Sequence, residues 1–493
     1  MVASTSRWYA LAALSLCAIA IGLDSTVLSV ALPTLAADLG ASTDDLQWFT
    51  TSYLLVLAAG LLPGGMLGDR FGRKRFLLGA MLLFGGASAA CAYAATTGQL
   101  IAARALLGLA SAVIMPLTSA VVTVLFDAGE RPRALSIWVT ANALGIPLGP
   151  LLGGWLLDHF WWGSVFLINL PLVVVGVIAV VAWVPESHGD RGRRFDLPGV
   201  VLSTTGLAGV TYGIIEAGTR GWTDPRSLLT VTGGLLAFAV FVGWQRRAAA
   251  PLIDVALFRS RGFTGGSVLA TIAAFALFGL LFALPQLFQA VGGQDAFGTG
   301  LRLLPVIGGL MAGARLSDRL TTRFGPRAVI ASGLGLMAAS LIAGAFLPYA
   351  LVAVWVATTG AGLGLTMPPS MNAALGALAV ERSGVGSALI QTMRQVGSAV
   401  GVAVLGAVLN AGYRDRLPVA AGEEVRDSAA SGVAVAQRLH DPGLLDAVRT
   451  AFVHGMDRSL LVSGAVAATG VVLALLLMPR AGRPAPELAE SGV

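Results

Sequence analysis

Charge is scarce in this chain. Only 12% of its 493 residues are Asp, Glu, Lys or Arg, while 56% are hydrophobic and the mean hydropathy is +0.80. A soluble protein of this length needs far more charged surface, so a soluble globular class is excluded. Lysine is nearly missing: Lys74 is the single one, against thirty-one arginines. A phosphate-cradling P-loop requires a lysine directly after its glycines. Lys74 sits instead in GRKRF, which excludes nucleotide hydrolysis of that kind. The arginine bias fits a GC-rich bacterial genome. Cysteine and histidine number two and four. Cys17 and Cys91 fall in apolar stretches as small hydrophobes, and so sparse a set makes no metal site.

Apolar stretches of about twenty residues, the length of a membrane-crossing helix, recur along the whole chain. They fall at 8–32, 47–67, 75–95, 98–122, 134–157, 162–183, 197–217, 226–244, 264–289, 298–313, 327–346, 350–375, 384–410 and 457–478. The expected fold class is therefore an all-α polytopic membrane protein with fourteen spans. Its 63 glycines suit helices that approach closely in a bilayer. The positive-inside rule tests the count. With the N-terminus inside, arginines cluster at inner turns: Arg73 and Arg75, Arg131 and Arg133, Arg191, Arg193 and Arg194, Arg246 and Arg247, Arg315 to Arg327, and Arg382. The short outer turns hold only Arg220 and Arg226. Both termini are thus expected in the cytoplasm, and the net charge of +6 belongs to inner loops and not to a nucleic-acid surface. The N-terminus lacks a cleavage-site pattern and reads as the first span. Two segments break the rhythm: a charged linker at 184–196, and a long outer loop at 411–456 with an amphipathic helix expected near 433–453.

Three strings carry more than topology. GMLGDRFGRKRFLL, Gly65 to Leu78, packs Gly65, Gly68, Asp69, Arg70, Gly72 and Arg73 into a tight inner turn. A weaker echo, GARLSDRLTTRFGPR, stands at 313–327, as expected of a transporter built from repeated halves. GIPLGPLLGG, at 145–154, spaces Gly145, Gly149 and Gly153 by four, along one helix face, with Gly154 beside them and with Pro147 and Pro150 to bend the helix. LDSTVLSVALP, at 23–33, places Asp24 at membrane depth. A charge there is costly and must face a cavity or a partner. A desolvated carboxyl holds its proton more firmly than in water and can exchange it near neutral pH. Arg104, in LIAARALLGLASA, is the complementary charge. By helical rise Asp24 lies roughly 13 Å and Arg104 roughly 10 Å from the outer ends of their helices, at similar depth. Either a permanent buried ion pair or a proton-controlled one satisfies these residues.

These strings resemble those of the major facilitator superfamily, and the whole set is similar to its fourteen-helix drug:proton antiporters. WWGSVFLINLP at 161–171, PLIDVALFRSRGF at 251–263 and the strings at 367–375 and 386–406 extend the likeness over nearly all the chain. Ser29 stands where that family commonly has asparagine, and Gly163 where it commonly has arginine. The resemblance implies two six-helix bundles plus two inserted helices. They divide as 1–190, 191–263 (carrying spans seven and eight) and 264–493. It implies a conformational latch at Asp69 and Arg73, an antiporter signature at 145–154, and proton coupling through Asp24 and Arg104. No cofactor is then needed, because the proton gradient supplies the energy. The partners are protons, the lipid bilayer and a small-molecule substrate, with the protein as a monomer in a bacterial inner membrane.

Aromatics and amides are the candidates for a substrate cavity: Tyr53, Asn142, Phe278, Phe282, Gln286, Trp355, Asn372 and Gln391, with Arg394 beside them. Apolar walls with few polar groups suit lipophilic ligands. Neither the run after Trp48 nor span thirteen adds an acid, which argues against a dicationic substrate. The expected function is proton-coupled efflux of small lipophilic compounds by alternating access. The alternatives are a dedicated exporter of one metabolite or self-made antibiotic, an uptake carrier, and a non-transport membrane protein. No cluster of nucleophiles or metal ligands suggests an enzyme.

Overall fold

The structure, a computed structural model, describes residues 4–127, 129–188, 196–378, 383–418 and 422–478. Among them every regular element is helical. The first six spans are α1 (Ser4–Leu39), α2 (Thr43–Phe71), α3 (Arg73–Ala92), α4 (Thr97–Leu125), α5 (Arg131–His159) and α6 (Ser164–Trp183). The inserted pair is α7 (Leu197–Arg220) and α8 (Pro225–Gln245). Then come α9 (Arg261–Gln286), which continues as a π-helical turn over Leu287–Val291, and a long helix over Ala296–Gly344. Gly325 (φ 79°) divides that helix into α10 (296–324) and α11 (326–344). Then follow α12 (Val352–Gly376), α13 (Ser383–Arg416), two short helices, α14 (Glu423–Asp427) and α15 (Ala429–Arg438), and α16 (Pro442–Leu477). Among the described residues 13 helices are long and apolar enough to cross a membrane, and one of them holds two spans, which restores the expected fourteen.

Local chemistry sets the boundaries. α2 opens with a capping box: Ser42 Oγ accepts from the Asp45 N–H, and the Asp45 carboxylate accepts from the Ser42 N–H at 3.0 Å. α2 and α10 both stop at the tripeptide Arg-Phe-Gly, residues 70–72 and 323–325. Gly72 takes φ 108° and Gly325 φ 79°, conformations that side chains resist. Both arginines lie over the preceding helix's last phenylalanine, at 5.6 Å and 5.2 Å from the ring centres. The echo read at 313–327 is therefore a repeated helix stop.

Two expectations are corrected. The tenth span is not the short stretch 298–313 but a helix over 296–324. The helix expected near 433–453 is two elements. α15 ends at Arg438, His440 turns through φ 52°, and α16 starts at Pro442, already continuous with the last span. Asp441 caps that new start, accepting from the Leu444 N–H at 3.0 Å. Since α13 runs to Arg416, the connection expected over 411–456 shrinks to 417–441. Arg191, Arg193, Arg194 and Arg382 lie outside the described residues, as does most of the 184–196 linker.

The chain forms two compact units, discontinuous in sequence, whose limits fall inside α9, α10, α13 and α16. One gathers residues 1–254, 274–304 and 391–462. Its core runs from α1 against α5, and from α2 and α3 against α4. The other gathers 255–273, 305–390 and 463–493. There a side chain on Gly313 or Gly360 would meet the facing backbone, so α10 and α12 touch directly. Ser340 and Thr359 share a buried 2.8 Å hydrogen bond between α11 and α12.

Asp196 anchors the inserted pair. Its carboxylate caps α7 at the Gly199 N–H (2.9 Å) and accepts from Trp244 Nε1 (2.8 Å), Gln245 Nε2 (2.7 Å) and the Leu252 N–H (3.2 Å). Burial pushes this carboxyl up, but the bonds from Trp244 and Gln245 and the two backbone bonds outweigh it and hold it below its ordinary value. A depressed folded pKa adds stability that is present above the unfolded value, about 3.9, and lost as pH falls through the folded one. Asp196→Ala is therefore expected to lower stability by about 2–3 kcal/mol at neutral pH and to flatten the loss of melting temperature below about pH 4. Thermal melts of the purified protein across pH check both; an unchanged acid profile would refute this account of Asp196.

Candidate functional site

Asp24 and Arg104 meet. Arg104 Nη1 donates to Asp24 Oδ2 at 2.9 Å, with the two side chains 1% and 0% exposed. Arg104 Nε donates to the Phe49 carbonyl at 3.1 Å, and its guanidinium lies 4.5 Å from the centre of the Tyr53 ring. The other carboxylate oxygen, Oδ1, accepts from Asn169 Nδ2 at 3.1 Å, and the same amide donates to Ser88 Oγ at 2.9 Å. Tyr53 in turn donates to Ser111 Oγ at 3.2 Å. Helices α1, α2, α3, α4 and α6 thus each bring a group to one buried polar cluster. Burying two charges is tolerable when they are paired and hydrogen-bonded; here both Asp24 oxygens accept a bond and Arg104 adds the Phe49 carbonyl, while Asn169 Oδ1 is buried without a partner. Chemically, a proton added to Asp24 would cancel the charge that holds Arg104 on α1, leaving the guanidinium to Phe49 and Tyr53.

Beside that cluster, α1 lies flat on the glycine face of α5. A side chain at Gly145 would stand 2.6 Å from the Ile19 carbonyl and 2.7 Å from the Leu23 nitrogen; one at Gly149 would stand 2.9 Å from the Leu23 carbonyl. Gly153 meets Val27 a turn further on. Two bonds staple the seam: Asn142 Nδ2 to the Ala18 carbonyl (3.0 Å) and Thr26 Oγ1 to the Ile146 carbonyl (3.0 Å). The carbonyl at 146 lies just before Pro147, and prolines here and at 150 leave carbonyls without helical donors. The seam thus fixes the turn of α1 that carries Asp24.

At its C-terminal end α5 reaches the start of α10. Gly154 abuts the Ala296 carbonyl and Gly300 the Pro150 carbonyl. Asp158 caps α10, accepting from the Ala296 and Phe297 N–H groups at 3.2 Å and 3.0 Å.

In the inner turn, Arg73 Nε donates to Asp69 Oδ1 at 2.7 Å across the break at Gly72. Gly65 packs on Pro116 and Gly68 on Leu117 of α4. Glu186, from the segment after α6, accepts from the Lys74 N–H at 3.0 Å and the Arg75 N–H at 3.3 Å, capping α3. Lys74 Nζ donates to the Val181 carbonyl at 2.8 Å.

The residues read as a substrate cavity have varied local surroundings. Tyr53 is buried under Arg104, and Asn142 is spent on the α1 seam. Phe282 is buried in the core that α1–α6 dominate, with Phe278 packed against it. Gln286 lies on the wall of a cavity beneath α15. Trp355 is buried against Gly344. Asn372 is exposed, and Arg394 Nη1 donates to Gln391 Oε1 at 2.7 Å on α13 itself. Sequence reasoning missed Asn169, Ser88, Glu186 and Asp158. Asn169 had a signal, an amide inside the apolar run VFLINLP; Glu186 and Asp158 lie at helix ends, where acids are common.

The sequence matches the family model of the Major Facilitator Superfamily over residues 14–402. It is 32% identical over 489 residues to the tetracenomycin C resistance and export protein of Streptomyces glaucescens, covering 95% of this chain and 91% of that protein. To the multidrug efflux pump LfrA of Mycolicibacterium smegmatis it is 33% identical over 493 residues, covering 97% and 95%. To the methyl viologen resistance protein SmvA of Salmonella typhimurium it is 32% identical over 478 residues, covering 93% and 96%. Among solved structures, an inward-facing bacterial homologue of the human lysosomal transporter Spinster superposes with a TM-score of 0.70 at 17% identity, covering 96% of this chain and 97% of that one. At that identity the likeness is one of fold.

Proposed function

The chain belongs to the major facilitator superfamily, and from that premise we propose that it is a proton-coupled exporter of small, lipophilic organic molecules. The observation that carries the reading is the fully buried Asp24–Arg104 pair, held by Asn169 and seated against the glycine face of α5. A protonatable group and a close-packed helix seam are then parts of one device. Protonation of Asp24 releases Arg104, and α4 and α1 gain freedom to separate. Substrate and proton must favour different conformations for one to drive the other. In this reading Asp24 gives up its proton while the carrier faces the cytoplasm and takes substrate there. It regains one from outside after substrate has left. The arginine distribution sets that orientation, with both termini inside, and the carrier works as a monomer without any cofactor.

The relatives named for export and resistance support efflux over uptake. One of them is named for a single antibiotic, which favours, as a second reading, a dedicated exporter of one compound. SmvA is named for methyl viologen, a dication. That substrate is not carried over, because the site offers one carboxylate and it is already paired. Everted vesicles energised by a proton gradient, challenged with lipophilic dyes and antibiotics, test the proposal. Export of a compound with partial collapse of the gradient supports it. Movement of one compound alone from a broad panel supports the dedicated exporter, and movement of none overturns multidrug efflux.

The outer closure gives a further expected result. Asp158→Ala removes the acceptor of the Ala296 and Phe297 N–H groups, worth about 1 kcal/mol at an exposed helix start, while Asp295 still holds the Gly298 N–H. Amide exchange at residues 296 and 297 is then expected to rise about fivefold, read by mass spectrometry. Unchanged exchange would mean that Asp158 holds nothing there.

A further inference from the structure

The connection between α13 and α16 is a roof over a cavity. α15 packs on α1 and on the π turn after α9. α14, just before it, is fixed from both sides: Thr43 Oγ1 donates to the Asp427 carbonyl at 2.9 Å, and Tyr413 Oη to the Val425 carbonyl at 2.7 Å. Ser428 caps α15 and His440 ends it. Beneath lies a cavity of about 330 Å³, lined by α1, the end of α9, the π turn and α15, a size at the lower end of small-molecule sites.

The chemistry of the lining is specific. None of its residues is charged; alkyl groups such as Val433 and Ala430 form most of it, and the polar groups are Thr34, Gln286, Gln289 and Gln437. Gln286 Nε2 donates to the Phe282 carbonyl at 2.9 Å and Gln289 Nε2 to the Val30 carbonyl at 3.0 Å. Each amide nitrogen gives one N–H to a backbone oxygen, and each amide keeps its carbonyl oxygen, an acceptor, and one further N–H to offer. The helix leaves α geometry at 287–291, where it forms this wall, and such π turns are kept mostly at functional sites. A cation stands by the wall: Arg449 Nε donates to the Ala290 carbonyl at 3.2 Å, on the same turn.

We infer that this roofed cavity is a binding site for an uncharged, lipophilic small molecule bearing an N–H or O–H donor, held by the Gln286 and Gln289 carbonyls. Cations are disfavoured by Arg449 and by the lack of any lining carboxylate. The site's part in export, as the last stop before release on the outer face, rests on the efflux reading; its existence as a binding site does not.

The test uses the full chain in lipid nanodiscs. Both native cysteines are buried, so Ala434→Cys supplies the one accessible thiol, on the roof's inner side. N-phenyl-1-naphthylamine, uncharged and carrying one N–H, is expected to slow maleimide labelling of that thiol at least fivefold, whereas ethidium, a cation of similar bulk, leaves it unchanged. Val433→Trp or Ala430→Phe, each filling the cavity, is expected to abolish the protection. Slowing by less than twofold, equal slowing by both probes, or protection that survives filling overturns the site. Repeating the assay in Asp24→Asn separates the two readings. If export fails as a function the protection persists, and if the site is wrong the protection is absent whether or not the native protein exports.

Discussion

Asp24→Asn abolishes gradient-driven export in everted vesicles, with an uphill rate at least 100-fold below the native protein's. A hundredfold loss corresponds to about 2.7 kcal/mol of coupling. Asparagine keeps the shape of the side chain and one oxygen that can accept from Arg104 or Asn169, but it cannot take up or release a proton. The structural cost is separate. Breaking a buried pair by removing one charge costs about 3–5 kcal/mol when the other is stranded, and here Arg104 retains Phe49 and the Tyr53 ring. Asp24→Asn should therefore melt lower yet remain folded. Arg104→Leu should fare worse, since it strands the carboxylate with Asn169 alone. The double variant Asp24→Asn/Arg104→Leu should recover much of the lost stability and none of the export, because no buried charge is left unpaired. Fluorescence-detected thermal shifts and vesicle transport read the two effects independently. Uphill export by Asp24→Asn within about twofold of native would make the pair a purely structural bridge.

Gly145→Ala has the second-largest expected effect. The added methyl group meets the Ile19 carbonyl at 2.6 Å and the Leu23 nitrogen at 2.7 Å, both backbone atoms. Backbone cannot rotate away as a side chain can, so α1 and α5 must part. Overpacking of this kind costs about 1–3 kcal/mol, and it displaces the residue next to Asp24. Export is expected to fall at least tenfold with a clear drop in melting temperature. Gly79→Ala is the control: on α3 nothing lies within 4 Å of the new group, and alanine's better helix propensity should leave stability equal or slightly higher. If Gly145→Ala behaves like Gly79→Ala, the seam is not under the tight contact described.

Much of this was legible in the sequence for identifiable reasons. Asp24 and Arg104 stood out because a charge in an apolar span is too costly to be incidental, and helical rise put both at one depth. The glycines at 145, 149 and 153 announced a close helix contact by spacing, although not which helix they would face. Gly72 was readable as a turn, and Gly325 by the repeated Arg-Phe-Gly. The cavity list drew on aromatic and amide residues, which have many uses in a bundle. Tyr53 serves Arg104 and Asn142 serves α1, and no pattern in one sequence separates such uses from ligand binding. The misread helix at 433–453 arose from following apolar periodicity through a break. His440-Asp441-Pro442-Gly443 held the signal, a capping acid followed by proline at the first helical position.

The seam between α1 and α5 has a mechanical consequence. Helices in backbone contact over successive turns, and stapled by Asn142 and Thr26, cannot slide or hinge against each other; they swing as one stiff beam. The beam carries Asp24 along its length, and its far end grips the first turn of α10 through Asp158. From Gly149, opposite the Asp24 turn, to Asp158 is about 13 Å of helix at 1.5 Å per residue. Tilting the beam by about 5° moves that end by roughly 1 Å over this length, enough to stretch both Asp158 hydrogen bonds past their useful range. In the proposed cycle, a single proton on Asp24 thus has a lever arm with which to unfasten a latch it never touches.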